Sequence, residues 1–272
     1  MAIPLEDNFA DIIGKAQRGL GVSDSELASK AGLPTDAVQR LRAGKFDENA
    51  ARLVAPHLGL NGRALVEIGR NAYAPMPVGD IEGLAQFNTP FGDMTVNAYL
   101  VWDPATKMAA AFDTGGDCTG IIEKLHSSGL TLREIFLTHT HGDHIYDLDR
   151  LQHLTGAPAY VCNREPLDGA ESIDPGREFT LGSLKIGTRL TWGHSNGGMT
   201  WVITGLRRPV AVVGDALFAG SMGGGMASYA DALRTDREEI FSLPDETILC
   251  PGHGPMSSVA EEKVHNPFFA EG

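Results

Sequence analysis

Apolar residues recur along this chain with two periods, and the change from one to the other divides it. In the first 70 residues the spacing is helical. Ser23-Asp24-Ser25-Glu26 opens a helix with Ser23 as N-cap and Glu26 at the capping-box position, and Leu27, Ala28 and Ala31 follow along it. Gly32-Leu33-Pro34 breaks that helix. A second is predicted from near Thr35 to Gly44 with Val38 and Leu41 on one face, and residues 50–58 and 63–68 read as further short helices. Tyr73-Ala74-Pro75-Met76-Pro77-Val78-Gly79 then interrupts helix with two prolines and a glycine, so residues 1–72 are predicted as a small all-α domain, 73–79 as linker and 80–272 as a second domain.

Beyond the linker, strand-like runs alternate with helical ones. Residues 97–102 and 108–112 read as paired strands across the turn Asp103-Pro104-Ala105-Thr106, residues 119–125 as a helix, and 135–138 as a buried strand. Val210-Ala211-Val212-Val213-Gly214 is another apolar strand. The class is therefore α/β, with a small helical domain in front.

Composition fits a globular protein, with 42% hydrophobic and 21% charged residues in 272. No apolar run is long enough for a membrane span, and the N-terminus lacks a basic region followed by an apolar stretch. Three widely spaced cysteines, Cys118, Cys162 and Cys250, suit a reducing compartment better than a disulfide framework, so a cytoplasmic location is expected. Residues 1–70 carry nine basic and nine acidic residues, so the net charge of −13 falls entirely on the remainder. An acidic domain is a poor match for a nucleic-acid backbone.

The chemistry is concentrated in His139-Thr140-His141-Gly142-Asp143-His144, directly after the apolar Ile135-Phe136-Leu137. Alternation along a strand end delivers His139 and His141 to one side, and the following turn lets Asp143 and His144 point back. Imidazoles and a carboxylate suit zinc, iron or manganese, and the absence of thiolate argues against a closed structural zinc site. Three more ligand-type residues stand beside glycine at the ends of strand-like runs: His194 in Gly193-His194-Ser195, Asp215 after Gly214, and His253 in Gly252-His253-Gly254.

These elements, in this order, resemble the metallo-β-lactamase fold in its glyoxalase II-like branch of hydroxyacylglutathione hydrolases, over about residues 78–268. The run from Pro251 through Glu262-Lys263 to Asn266-Pro267-Phe268 resembles the same branch. The resemblance implies an αβ/βα sandwich that binds two divalent ions, zinc first, with iron or manganese as alternatives. It implies that His139, His141 and His194 hold one ion, that Asp143, His144 and His253 hold the other, and that Asp215 bridges them. A hydroxide shared by the ions would attack the carbonyl of a small thioester or ester, with Asp143 as proton acceptor. Asp113, in Asp113-Thr114-Gly115, is expected to support the ligands through hydrogen bonds. One departure concerns the leaving group: full-length glyoxalase II enzymes continue past Asn-Pro-Phe with a helical segment that supplies basic glutathione contacts, and this chain stops four residues after Phe268.

Tyr146, in the turn after His144, is expected to touch substrate. So are Met222 and Tyr229, in the glycine-rich run 220–229, read as an adaptable apolar wall after Asp215. Two other functions stand as alternatives. A persulfide dioxygenase would use one iron on the same fold. A ligand-sensing regulator would use residues 23–45, which resemble the helix-turn-helix of phage-repressor-like domains, with Gln39, Arg40 and Arg42 offered to nucleic acid and Asp36 opposing it. The zero net charge of that segment's domain makes nucleic acid the weaker expectation. Monomer and homo-oligomer are both left open.

Overall fold

Side chains along strand β10 (Val210–Gly214) alternate between two cores, and that alternation organises the molecule. The computed structural model describes residues 3–270. One sheet runs in the order β1 (Leu84–Phe91), β2 (Met94–Trp102), β3 (Met108–Phe112), β4 (Thr131–Phe136), β5 (Ala159–Cys162), β6 (Ala170–Ile173). The other runs β14 (Ser257–Ser258), β13 (Ile248–Pro251), β10, β9 (Met199–Thr204), β8 (Leu184–Leu190), β7 (Glu178–Leu181). Tyr99, Val101, Phe112 and Phe136 face Trp201, Val210, Val212 and Ile248 between the sheets.

Ala98, Leu100, Ala109, Ala111 and Ile135 point the other way, under helices α6 (Thr119–Ser128) and α8 (Leu148–Thr155). Ala211, Val213 and Leu249 face outward from the second sheet, where α9 (Tyr229–Thr235) and α10 (Val259–His265) pack. The result is the expected αβ/βα sandwich. β4 stops at Phe136, two residues short of the predicted strand end, because the Thr138 N–H and hydroxyl are taken by the Asp113 carboxylate at 2.7 and 2.8 Å.

The N-terminal region forms helices α1 (Phe9–Leu20), α2 (Asp24–Ala31), α3 (Thr35–Arg42), α4 (Glu48–Val54) and α5 (Gly62–Gly69), with a tight 3-10 turn at Ala55–Leu58. Ser23 and Glu26 cap α2 reciprocally, as the sequence predicts. α1 goes beyond the predicted helices and carries a second capping box, Asn8 with Asp11, plus Gly21 in the left-handed conformation at its end. On α3, Arg40 pairs with Asp36 and Arg42 donates to the Ala10 carbonyl at 2.6 Å, so among the described residues Gln39 is the one candidate nucleic-acid contact not engaged internally.

These helices share a continuous core with the second sheet's outer layer: Ile12, Ile13, Val54 and Leu65 pack in the same cluster as Leu217, Met222, Val259 and Phe268. The predicted linker begins docked, since the buried Tyr73 ring stacks on His265 at 4.9 Å.

Beneath Tyr73 lies Glu262, a fully buried carboxylate that accepts from Tyr73 Oη at 3.0 Å, Gly220 N at 2.9 Å and Asn266 Nδ2 at 2.8 Å. Burial outweighs these bonds and pushes its carboxyl up to about 7. The folded state therefore holds a proton that the unfolded chain has released, so stability falls as pH rises from the ordinary carboxylate range through about 7. Thermal melts are expected to show a lower midpoint at about pH 8 than at about pH 5.5, and Glu262→Gln should flatten that difference.

Candidate metal centre

All the predicted ligands converge on one edge of the sandwich. β4 leads into the loop bearing His139 and His141, and the single turn α7 (Gly142–Ile145) carries Asp143 and His144. His194 lies between β8 and β9, Asp215 follows β10, and His253 follows β13, which runs parallel to β10. Gly252 makes this convergence possible: a Cβ there would lie 2.1 Å from Asp215 Oδ1 and 2.6 Å from His144 Cε1.

Two sets of donor atoms result. His139, His141, His194 and Asp215 form one, Asp143, His144 and His253 the other, with the donors in each set within 4.8 Å of one another. Asp215 lies against both: Oδ2 is 3.4 Å from His194 Nε2 and 3.5 Å from His253 Nε2, and Oδ1 is 3.3 Å from His144 Nε2. Asp143 Oδ2 is 3.2 Å from His253 Nε2 and 3.5 Å from His144 Nε2, while His141 Nδ1 is 3.0 Å from His194 Nε2.

The donor set fits divalent cations. Ligand atoms about 2.1 Å from a tetrahedral ion stand about 3.4 Å apart, close to the spacings here. Among the described residues, His139 Nε2, His144 Nε2 and Asp215 Oδ1 are buried with no hydrogen-bond partner. The second nitrogens of four rings are held: His144 Nδ1 by Asp113 Oδ2 at 2.8 Å, His253 Nδ1 by the Thr95 carbonyl at 2.7 Å, His194 Nδ1 by the Gly224 carbonyl at 2.9 Å, and His139 Nδ1 by Thr138 Oγ1 at 3.0 Å. Such partners fix the ring orientation and leave each Nε2 facing inward.

The electrostatics point the same way. Burial opposes charging of His144 and His253, yet the surrounding carboxylates, with Asp215 acting on both, push the rings up to about 10 and about 11. Burial likewise opposes ionisation of Asp215, but His144, His253 and His139 hold its carboxyl well below the usual range. Burial and neighbouring rings push His139 well down, keeping it neutral. Buried negative charge here calls for cations.

Asp113 is the clearest supporting residue. Its backbone sits in the left-handed region at φ 56°, uncommon for a non-glycine, and its carboxylate joins Thr138 to His144. Sequence reasoning missed Glu165, which lies in a loop with no motif around it. Its carboxylate accepts from Thr140 N at 2.9 Å, from the Thr140 hydroxyl, and from Gly197 N at 2.7 Å, tying the His139–His144 loop to the His194 loop. Glu165→Ala is expected to weaken metal retention about 10- to 100-fold, read as metal content after dialysis against graded chelator.

The expected substrate contacts separate. Tyr146 is 68% exposed at the rim, edge-on to Phe91 at 5.3 Å. Met222 and Tyr229 do not form an open wall. Met222 is fully buried, and Tyr229 is buried with its ring packed over Gly19 of α1, because the N-terminal helices cover this face. Met226, 71% exposed, is the large apolar residue of that run facing outward.

Comparison with known proteins agrees with this arrangement. A family model described as the metallo-beta-lactamase superfamily matches residues 91–253. The probable metallo-hydrolase YqgX of Bacillus subtilis is 29% identical over 66% of this chain and 95% of its own length. The hydroxyacylglutathione hydrolase GloC of Haemophilus influenzae is 27% identical over 64% of this chain and 92% of its own. Among solved structures, the BLEG-1 B3 metallo-beta-lactamase superposes with a TM-score of 0.59 at 28% identity, over 69% of this chain and all of that one.

Proposed function

This chain belongs to the metallo-β-lactamase superfamily, and on that premise we propose that it is a binuclear metallohydrolase of thioesters or esters, glyoxalase II-like in chemistry. The observation that carries the reading is Asp215, whose two carboxylate oxygens lie against ligands of both donor sets. The hydroxyacylglutathione hydrolase name of GloC supports thioester as the substrate class.

His139, His141 and His194 would hold one ion, Asp143, His144 and His253 the other, and Asp215 would join them. A divalent pair supplies water of lowered pKa and polarises the carbonyl under attack. Asp143 provides the proton acceptor. His253 and His144 outweigh its burial and keep it ionised, and Oδ2 faces His253 at 3.2 Å, which leaves Oδ1 as the second oxygen. From Oδ1 a proton taken from water can be handed to the departing sulfur or oxygen. Tyr146 stands at the mouth and can orient the acyl group through its ring and hydroxyl. No cysteine competes as nucleophile: all three are buried, and burial pushes the Cys250 thiol up.

Metal content measured alongside S-lactoylglutathione turnover tests the proposal. The expected result is about two ions per chain with cleavage that chelation abolishes and added metal restores. One iron per chain, no cleavage, and oxygen uptake with a persulfide would transfer the chain to the dioxygenase reading.

A further inference from the structure

A cavity of about 380 Å³ opens between α1 and the glycine loop after β12 (Ser221–Met222), lined by Lys15, Arg18, Gly19, Gly224, Gly225 and Met226. It abuts the His194 side of the metal centre. The Gly224 carbonyl accepts from His194 Nδ1 at 2.9 Å, and a Cβ on Gly223 would lie 1.8 Å from the Asp215 carbonyl oxygen and 2.8 Å from His194 Nδ1.

The two cations on this wall are differently placed. Lys15 is neutralised: its ammonium pairs with Asp7, donates to the Met222 carbonyl at 2.8 Å and lies 4.9 Å from the Phe218 ring centroid. Those contacts clamp α1 onto the strand pair β11 (Leu217–Phe218) and β12, beside His253, whose ring is 5.7 Å from Phe218. Arg18, one turn further along α1, is exposed, and among the described residues its guanidinium has no hydrogen bond or ion pair. The Gly224 and Gly225 amides opposite donate to no protein acceptor among the described residues. In a chain with a net charge of −13, a cavity lined by a guanidinium and by the amides of a glycine loop, both without internal partners among the described residues, is a local attraction for an anion.

We propose that this cavity binds a carboxylate on the substrate, with Arg18 as its cationic contact, so that the preferred substrates are acidic thioesters or esters. The inference rests on the hydrolase reading above and specifies its substrate class. The N-terminal helices thereby contribute to selectivity as well as packing, since α1 supplies the cation and the sandwich supplies the loop. The volume suits a short acid arm rather than a large group.

The test uses the full chain loaded with metal and two matched probes, S-acetyl-3-mercaptopropionate and its primary amide. The ratio of kcat/KM for the acid over the amide is expected to fall about tenfold in Arg18→Ala and to be largely kept in Arg18→Lys. An unchanged ratio in Arg18→Ala overturns the proposal. If the native protein cleaves neither probe, calorimetry with the uncleavable 3-(methylthio)propionate separates the two readings. Binding by the native chain that weakens in Arg18→Ala supports the subsite and leaves the hydrolase reading as the one that failed. Equal binding, or none to either, overturns the subsite.

Discussion

Asp215→Ala is expected to strip both halves of the metal centre at once and to abolish turnover. Asp215 faces His194, His253 and His144 at 3.3 to 3.5 Å, so its removal takes a member of one donor set, the carboxylate lying against the other, and the buried negative charge that would offset bound cations. Metal content should fall from about two ions to well below one per chain, and hydrolysis by about a thousandfold or more. Losing a single terminal ligand should be milder: His253→Ala leaves the set of His139, His141, His194 and Asp215 intact. Elemental analysis of the two variants, with circular dichroism to confirm that both fold, decides the point. An Asp215→Ala protein that kept its metal would end the bridging assignment and the mechanism built on it.

Removing residues 1–72 is expected to have the next largest effect, on folding rather than on chemistry. The helices cover Leu217, Met222, Val259 and Phe268, each under 4% exposed. Without them the outer layer of the second sheet would present a broad apolar face to water, a recognised cause of aggregation. Polar partners would go as well: the Met222 carbonyl loses Lys15 and the Pro267 carbonyl loses the Asn61 N–H at 2.7 Å. The fragment 73–272 should be poorly soluble, bind a hydrophobic dye, and melt at least about 10 °C below the full chain. A soluble fragment with an unchanged melting point would instead mark the helices as a separable accessory. The comparison is worth making early, because the proposed role of Arg18 depends on α1 being fixed to the sandwich by Lys15.

Much of this protein is legible in its residue order, because the features concerned are local. Ser23 with Glu26 starts a helix whatever surrounds it, and Val210–Gly214 reads as a buried strand from its apolar run. The spacing of His139, His141, Asp143 and His144 identifies metal-binding chemistry because a strand end and one turn suffice to bring such close neighbours together. The partners across the chain were harder to read. Glu165 is an ordinary loop acid until β5 and the His194 loop bring Thr140 and Gly197 to it. Met222 and Tyr229 look like a flexible apolar wall until α1 packs over them. Arg18 and Lys15 are near neighbours on one helix, yet Lys15 is committed to Asp7 and the Met222 carbonyl while Arg18 is left open beside the glycine loop. Sequence by itself determined which groups can ligate, cap and alternate, since those depend on residue type and short spacing. Tertiary structure alone decided which of them are buried, paired or free, since that depends on contacts between segments far apart in the chain, whose meeting no local period encodes.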